Sequence, residues 1–137
     1  MGTYSVSQVG PLDGWASLDG VAPGKAFLED ELGTQFIGLS VNGTQPGGTS
    51  PFWHTHSQLE EVYIFIEGEG QMALGDDVID VESGSIVRVG PDMWLGLRCT
   101  PGSPTPLKWL CVRAGGDTLA TIGNDADLDS ERPYPWD

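Results

Sequence analysis

The chain has 137 residues, about one domain's worth, enough to bury roughly two thirds of its extended surface in a single core without disulfide or metal staples. Twenty acidic against six basic residues give a formal charge of -14, a field that repels phosphate backbones and anionic headgroups and argues against nucleic-acid and membrane partners. The longest continuous apolar run is the five residues Val62 to Ile66, so neither a secretory leader nor a membrane span is expected, and a cytoplasmic protein follows.

Residues 1–24 show no sustained periodicity and read as an N-terminal arm. From there a series of short runs rich in β-branched and aromatic residues begins: Phe27 to Glu29, Gln35 to Val41, Glu61 to Ile66, Gln71 to Leu74, Val78 to Val81, Ile86 to Val89, Trp94 to Cys99 and Leu107 to Arg113. Turn clusters at 68–70, 75–77, 90–92 and 100–106 separate them. With 20 glycines and 10 prolines, no stretch sustains apolar spacing at three and four over a dozen residues, so helix is scarce. Many short strands with tight turns imply an all-β sandwich or closed antiparallel barrel, with a barrel core over about residues 25–114 and the whole of 1–137 as a single domain.

Residues 115–137 read as an acidic tail, either solvated or packed on a partner subunit. Asp117, Asp125, Asp127, Asp129 and Glu131 suggest a calcium loop, but Ser130 stands where such a loop needs Gly and Trp136 where it needs Glu. Four of the six cations, Arg88, Arg98, Lys108 and Arg113, fall within 88–113 and read as partners of acidic neighbours or as a local anion contact. Cys99 and Cys111 are too few for a disulfide scaffold and read as small buried side chains.

Chemistry concentrates in WHTHSQLEE, residues 53–61, which holds both histidines of the chain. In a strand, residues two apart project to one face, so His54 and His56 would present their imidazoles side by side. The following run shares that logic: Glu61 has the parity of Tyr63 and Phe65, opposite Val62, Ile64 and Ile66. A turn over 57–60 would let one carboxylate face the imidazole pair. Two imidazoles and a carboxylate suit one divalent transition metal, iron, manganese, nickel, copper or zinc, with coordination positions left open.

The stretch GTSPFWHTHSQLEEVYIFIEG resembles the first motif of the cupins at every fixed position: Gly48, His54, His56, Glu61 and Gly68. The resemblance implies a double-stranded β-helix, or jelly-roll barrel, whose ligands point into its mouth, and it selects Glu61 over Glu60. The family's second motif is degenerate here. Anchored on Gly84, its remaining positions are occupied by Gly90, Asp92, Leu95 and Cys99, so only the first glycine survives and the histidine that would be a fourth ligand is Leu95.

Leu95 removes a ligand and makes that wall apolar. Two outcomes follow: a three-ligand site similar to the facial triad of non-haem iron oxygenases, or a metal-poor cavity for a small apolar or aromatic ligand, with any metal weakly bound. Tyr63 and Phe65, with Leu95, are expected to line that ligand pocket. Trp53 and Trp94 are expected to face outward, toward an interface. Glu60 or Tyr63 is the candidate base and Cys99 the candidate accessory ligand. The implied functions are a metal-dependent oxygenase or isomerase acting on a small organic molecule, or a non-catalytic binding or sensing barrel. A homodimer is expected, with the arm at 1–24 available for exchange.

Overall fold

A computed structural model describes residues 2–137. Ten strands dominate it: β1 (Lys25–Phe27), β2 (Gly38–Thr44), β3 (Trp53–His56), β4 (Glu60–Glu67), β5 (Glu69–Leu74), β6 (Asp77–Glu82), β7 (Ile86–Val89), β8 (Leu95–Cys99), β9 (Leu107–Ala114) and β10 (Ala126–Asp129). They form two five-stranded antiparallel sheets, ordered β1-β2-β9-β4-β7 and β10-β3-β8-β5-β6. This is the expected all-β jelly roll, in which most neighbours in space are distant in sequence because the chain crosses repeatedly between the two sheets, with only β1-β2 and β5-β6 pairing as consecutive strands. Among the described residues helix is confined to a 3-10 segment at Leu12–Ser17 and two single turns, α1 (Glu29–Leu32) and α2 (Leu119–Ile122).

The strand parity read from the sequence holds in β4. Glu61, Tyr63 and Phe65 are buried between the sheets while Glu60 is exposed. On β9 the same alternation turns Leu107, Trp109 and Cys111 inward. These side chains meet Met72, Val81, Val89, Leu95, Leu97 and Cys99 in one apolar core that fills one end of the barrel. Fully burying side chains of this size stabilises the fold by about 1.5–3 kcal/mol each. Gly68 closes the tight connection between β4 and β5 at φ +89, with the backbone of Pro106 and Leu107 so near that a Cβ would lie 2.5 Å from the Pro106 carbonyl oxygen. Only glycine combines that dihedral with that approach.

The two ends of the chain are not loose. The N-terminal arm lies on the outer face of its own first sheet, where Trp15 packs with Leu28 and Val41 in a second apolar cluster. Gly43 on β2 permits the approach, since a Cβ there would meet the backbone of Trp15 and Ala16 below 3 Å.

The C-terminal segment corrects the sequence reading more strongly. Far from being a solvated acidic tail, it adds β10 to the second sheet, pairing Asp129 with Trp53 and Ala126 with His56. It then folds Tyr134 and Trp136 over the sheet. Trp53 has the outward parity expected of it, yet it is 1 % exposed, because Tyr134 stacks on it at 5.1 Å and the Arg132 guanidinium covers it at 4.0 Å. Its indole N–H donates to the Arg132 carbonyl at 3.2 Å. The outer face assigned to a partner is thus covered by the chain itself, and Trp94 is only partly buried beside it.

Tyr134 fits because residue 96 is a glycine: a Cβ on Gly96 would lie 2.2 Å from its ring. Gly96→Ala is therefore expected to displace Tyr134 and loosen the segment beyond it. The measurement is limited proteolysis of residues 130–137 with tryptophan fluorescence, and a variant that resists protease as well as the parent would contradict the packing described.

Candidate functional site

The antiparallel turn after β3 returns the chain along the opposite sheet, so His54 and His56 from the second sheet face Glu61 from the first. The ligand-capable atoms of His54, His56 and Glu61 all lie within 4.8 Å of one another, the one such cluster of His, Cys, Asp and Glu among the described residues. His54 Nε2 is 3.1 Å from Glu61 Oε1, and His56 Nε2 is 3.7 Å from Glu61 Oε2. The two rings stand nearly perpendicular with centroids 5.4 Å apart. Both imidazoles therefore aim the same nitrogen at one carboxylate.

Glu61 is 5 % exposed. Burial pushes its carboxyl up, but the hydrogen bond and charge of His54, the Cys111 thiol and the charge of His56 outweigh burial and hold it at about 2. Tyr63 donates its hydroxyl to Glu61 Oε1 at 3.1 Å, and the Cys111 thiol donates to Oε2 at 3.2 Å. Burial first, then Cys111 and Glu61, push the Tyr63 hydroxyl well up, and burial followed by Glu61 does the same to the Cys111 thiol, so both remain protonated donors. Two imidazoles and an ionised carboxylate at this spacing could hold a divalent transition metal.

Asp125, from the loop between α2 and β10, completes the arrangement. Its Oδ1 lies 2.7 Å from His56 Nδ1, while Oδ2 accepts the backbone N–H groups of Gln58 and Leu59, each at 2.9 Å. Burial tends to raise this carboxyl, yet the amide hydrogen bonds and His56 hold it below its ordinary value. An ionised carboxylate can only accept, so the Nδ1 of His56 carries the proton and its Nε2 is left to face the cluster. Nothing in the sequence marked Asp125, because it lies 69 residues from its partner, among other aspartates of an acidic segment.

The remaining candidates divide. Leu95 is paired directly with His54 across β3 and β8 and presents a buried isobutyl group to the site. Tyr63 lines the cavity, but Phe65 does not; it belongs to the apolar core, packed between Tyr63 at 6.4 Å and Trp109 at 6.0 Å. Phe65 is one step further along the strand than the cavity reaches.

Glu60 points to the outer face and pairs with Arg88 at 2.8 Å, so it is not placed to act on anything in the barrel. Cys99 is also misplaced: it is fully buried in the core with its thiol toward the Thr100 and Thr105 carbonyls. The cysteine at the site is Cys111, whose inward parity on β9 could have signalled it. In the second-motif turn Asp92, at a glycine position of the motif, has φ 67 and donates its N–H to the His56 carbonyl at 2.7 Å. Aspartate tolerates that left-handed conformation better than most residues.

A cavity of about 1100 Å³ opens above this cluster, lined by His54, His56, Glu61, Tyr63 and Leu95 and, further out, by β1 and β2. A more accessible hollow between the arm and α1, of about 400 Å³, lies away from it. The large cavity is wide enough for a small organic molecule with room for water.

The Asp125 contact generates a test independent of any metal. Asp125→Asn can offer only one acceptor oxygen where two are used, and is expected to cost about 1–3 kcal/mol of stability. In ¹⁵N spectra His56 should pass from the Nδ1-protonated tautomer to a mixture; an unchanged tautomer would show that Asp125 does not orient the ring.

The chain matches the cupin domain family over residues 43–113, just over half its length. Among solved structures it is similar to a cupin protein from Bacteroides fragilis, at 25% identity and TM-score 0.71, over 85% of this chain and 87% of that one. A Klebsiella pneumoniae protein with a double-stranded β-helix domain aligns at 21% identity and TM-score 0.67, over 90% and 98% of the two chains. A cupin-like protein from Thermotoga maritima aligns at 20% identity and TM-score 0.61, over 76% and 73%. No curated protein sequence is significantly similar to it. The matched span runs from β2 to β9, through both the His-Thr-His strand and the glutamate that faces it, and the chain belongs to the cupin family.

Proposed function

We propose that this protein is a metal-binding cupin that holds a small organic ligand in its barrel. One observation carries the reading: two imidazole nitrogens and a buried, ionised carboxylate converge within 4.8 Å at the inner end of a cavity of about 1100 Å³. His54, His56 and Glu61 would hold one divalent transition metal. Leu95, on the fourth side, supplies no donor and leaves room on the metal for ligand oxygens. Bound there, such a metal supplies Lewis acidity to an enol, diketone or phenolic compound and supports its oxygenation or isomerisation.

The chain's own groups contribute binding and positioning. Asp125 orients His56, and Tyr63 and Cys111 hold the Glu61 oxygens by hydrogen bonds. Leu95, Leu97 and Trp109 give the floor of the cavity an apolar surface that excludes water from a bound ring or chain. The Tyr63 hydroxyl is the one phenolic proton donor against the cluster. With Glu60 on the outer face, it is the residue placed to donate a proton there, and its raised pKa keeps it from acting as a base.

A second reading, a binding barrel without catalysis, is supported by the same Leu95 wall. A site with one ligand fewer binds metal more weakly. Elemental analysis of protein purified without an affinity tag separates the two. The metal-binding reading expects a substantial fraction of one equivalent, falling below about a tenth in His54→Ala, and about a 10–100-fold loss of metal affinity in Asp125→Asn. Metal content near zero in the parent, unchanged by His54→Ala, would leave the non-catalytic barrel. Oxygen uptake over a panel of enols, diketones and phenols, with single metals restored after chelation, tests the oxygenase version, which no uptake with any metal would remove.

A further inference from the structure

Across the cavity from the histidines, the wall made by β1 and β2 is polar. In the register of the first sheet Lys25 stands opposite Asn42, and Ser40 lies two residues along on the same face. All three line the cavity. Asn42 and Ser40 are almost fully buried, with the Asn42 amide nitrogen 3.0 Å from Ser40 Oγ and the Asn42 oxygen accepting from Lys25 Nζ at 2.9 Å.

Lys25 is unusual in its charge environment. Four of the six cations, Arg88, Lys108, Arg113 and Arg132, have a carboxylate within 4.0 Å. Arg98 gives two N–H groups to Gln71 and lies over Trp136. Lys25 has a neutral carboxamide and the face of Phe27, 5.0 Å away. Burial draws its pKa down, and the groups that work against burial include Glu61. Among the described residues none of the carboxylates lies within 4.0 Å of this cavity-lining ammonium group, whereas Lys108, the more deeply buried lysine, has Glu67 at 3.6 Å. A partly buried cation with no carboxylate in contact has only the more distant charges of Glu61 and Glu29 to offset burial, and an anionic ligand would add the missing contact.

A second cation reinforces the point. The Arg113 guanidinium, 4.9 Å from the same Phe27 ring, bonds Glu29 through Nη2, while its Nη1 is buried with no protein acceptor. Lys25 and Arg113 thus both lie against the Phe27 ring, and only Arg113 has a carboxylate in contact.

We propose that Lys25, supported by Asn42 and Ser40, receives a carboxylate of the cavity's ligand, which is thus a small organic acid. This inference rests on the metal-binding cavity of the preceding subsection and adds the chemical class of its occupant. One oxygen-bearing end of the acid faces His54, His56 and Glu61; the carboxylate at the other end meets the ammonium group. Across the first sheet Lys25 is level with Asn42, Trp109 and Phe65, so it stands three strands from Glu61 and four residues along, and both side chains line the cavity between them. Acids of four, five and six carbons sample the length that this separation accepts. An ammonium group with a carboxamide, beside a guanidinium already paired with Glu29, suits a carboxylate, whereas a phosphate dianion would ask for more unpaired positive charge than this wall holds.

The probes are succinate, glutarate and adipate, each with its uncharged diamide, titrated calorimetrically into the protein with Zn²⁺ and without metal. At least one acid should bind the zinc-loaded protein about tenfold or more tightly than its diamide. Lys25→Met should lose that margin while Zn²⁺ affinity and thermal midpoint stay near those of the parent. If Lys25→Met does not fold, the acid-against-diamide comparison on the parent decides alone.

Equal affinity for acid and diamide, no binding by any of the acids, or acid binding unchanged in Lys25→Met overturns the subsite even where zinc binds tightly. Lys25-dependent preference for an acid in a protein that takes up no metal supports the subsite and removes the metal-binding reading instead.

Discussion

The buried carboxylate of Glu61 is the constraint around which the open end of this barrel is organised. Taking a carboxylate out of water into a β-barrel costs several kcal/mol unless donors and opposing charge replace its hydration. Here two imidazoles arrive from the opposite sheet, and a phenol and a thiol from the same one. The cluster thus joins the two sheets by polar contacts at one end of the barrel, as the apolar core joins them at the other. The donors that make the buried charge tolerable are the same groups that give the site its metal-ligating character.

The C-terminal segment is part of that economy. Strand β3 carries both histidines and pairs with β8 through a single residue position, His54 with Leu95. Its other edge would expose unpaired N–H and C=O groups without β10, which supplies four register pairs. The loop leading into β10 brings Asp125 against His56, and the residues after it cover Trp53. One stretch of chain therefore finishes the sheet, shields its outer face and orients a ring on its inner face.

The cavity is chemically divided. Its floor is hydrocarbon and aromatic, its one side carries the imidazole and carboxylate groups, and its other side carries an ammonium group, a carboxamide and a hydroxyl. The second-motif turn shows how the fold can be kept while the chemistry changes: Asp92 holds the left-handed turn that ties to His56, while Leu95 changes the wall beside His54. A fold of this kind hosts many reactions, and what distinguishes one member is such side-chain exchange around a constant backbone.

Much of this was legible in the residue order. The period of two in EEVYIFIE groups Glu61 with Tyr63 and Phe65 on one face of β4, and the His-Thr-His spacing predicts two imidazoles on one face, because that period is a local property of a strand. Strand existence and turn positions are likewise local, written in β-branched runs and glycines. How far along the strand the cavity extends is not local, and so Phe65 was read as lining when it is core. The pairing of β10 is not local either: Ala126 to Asp129 has an aspartate at every second position and little intrinsic strand preference. Its conformation comes from hydrogen bonds to a strand some 70 residues away, which also decides that Trp53 is covered and that Asp125 reaches His56. Sequence alone determined the barrel and the faces of its strands; only the tertiary structure decided what closes over them, since burial depends on neighbours that long-range pairing brings together.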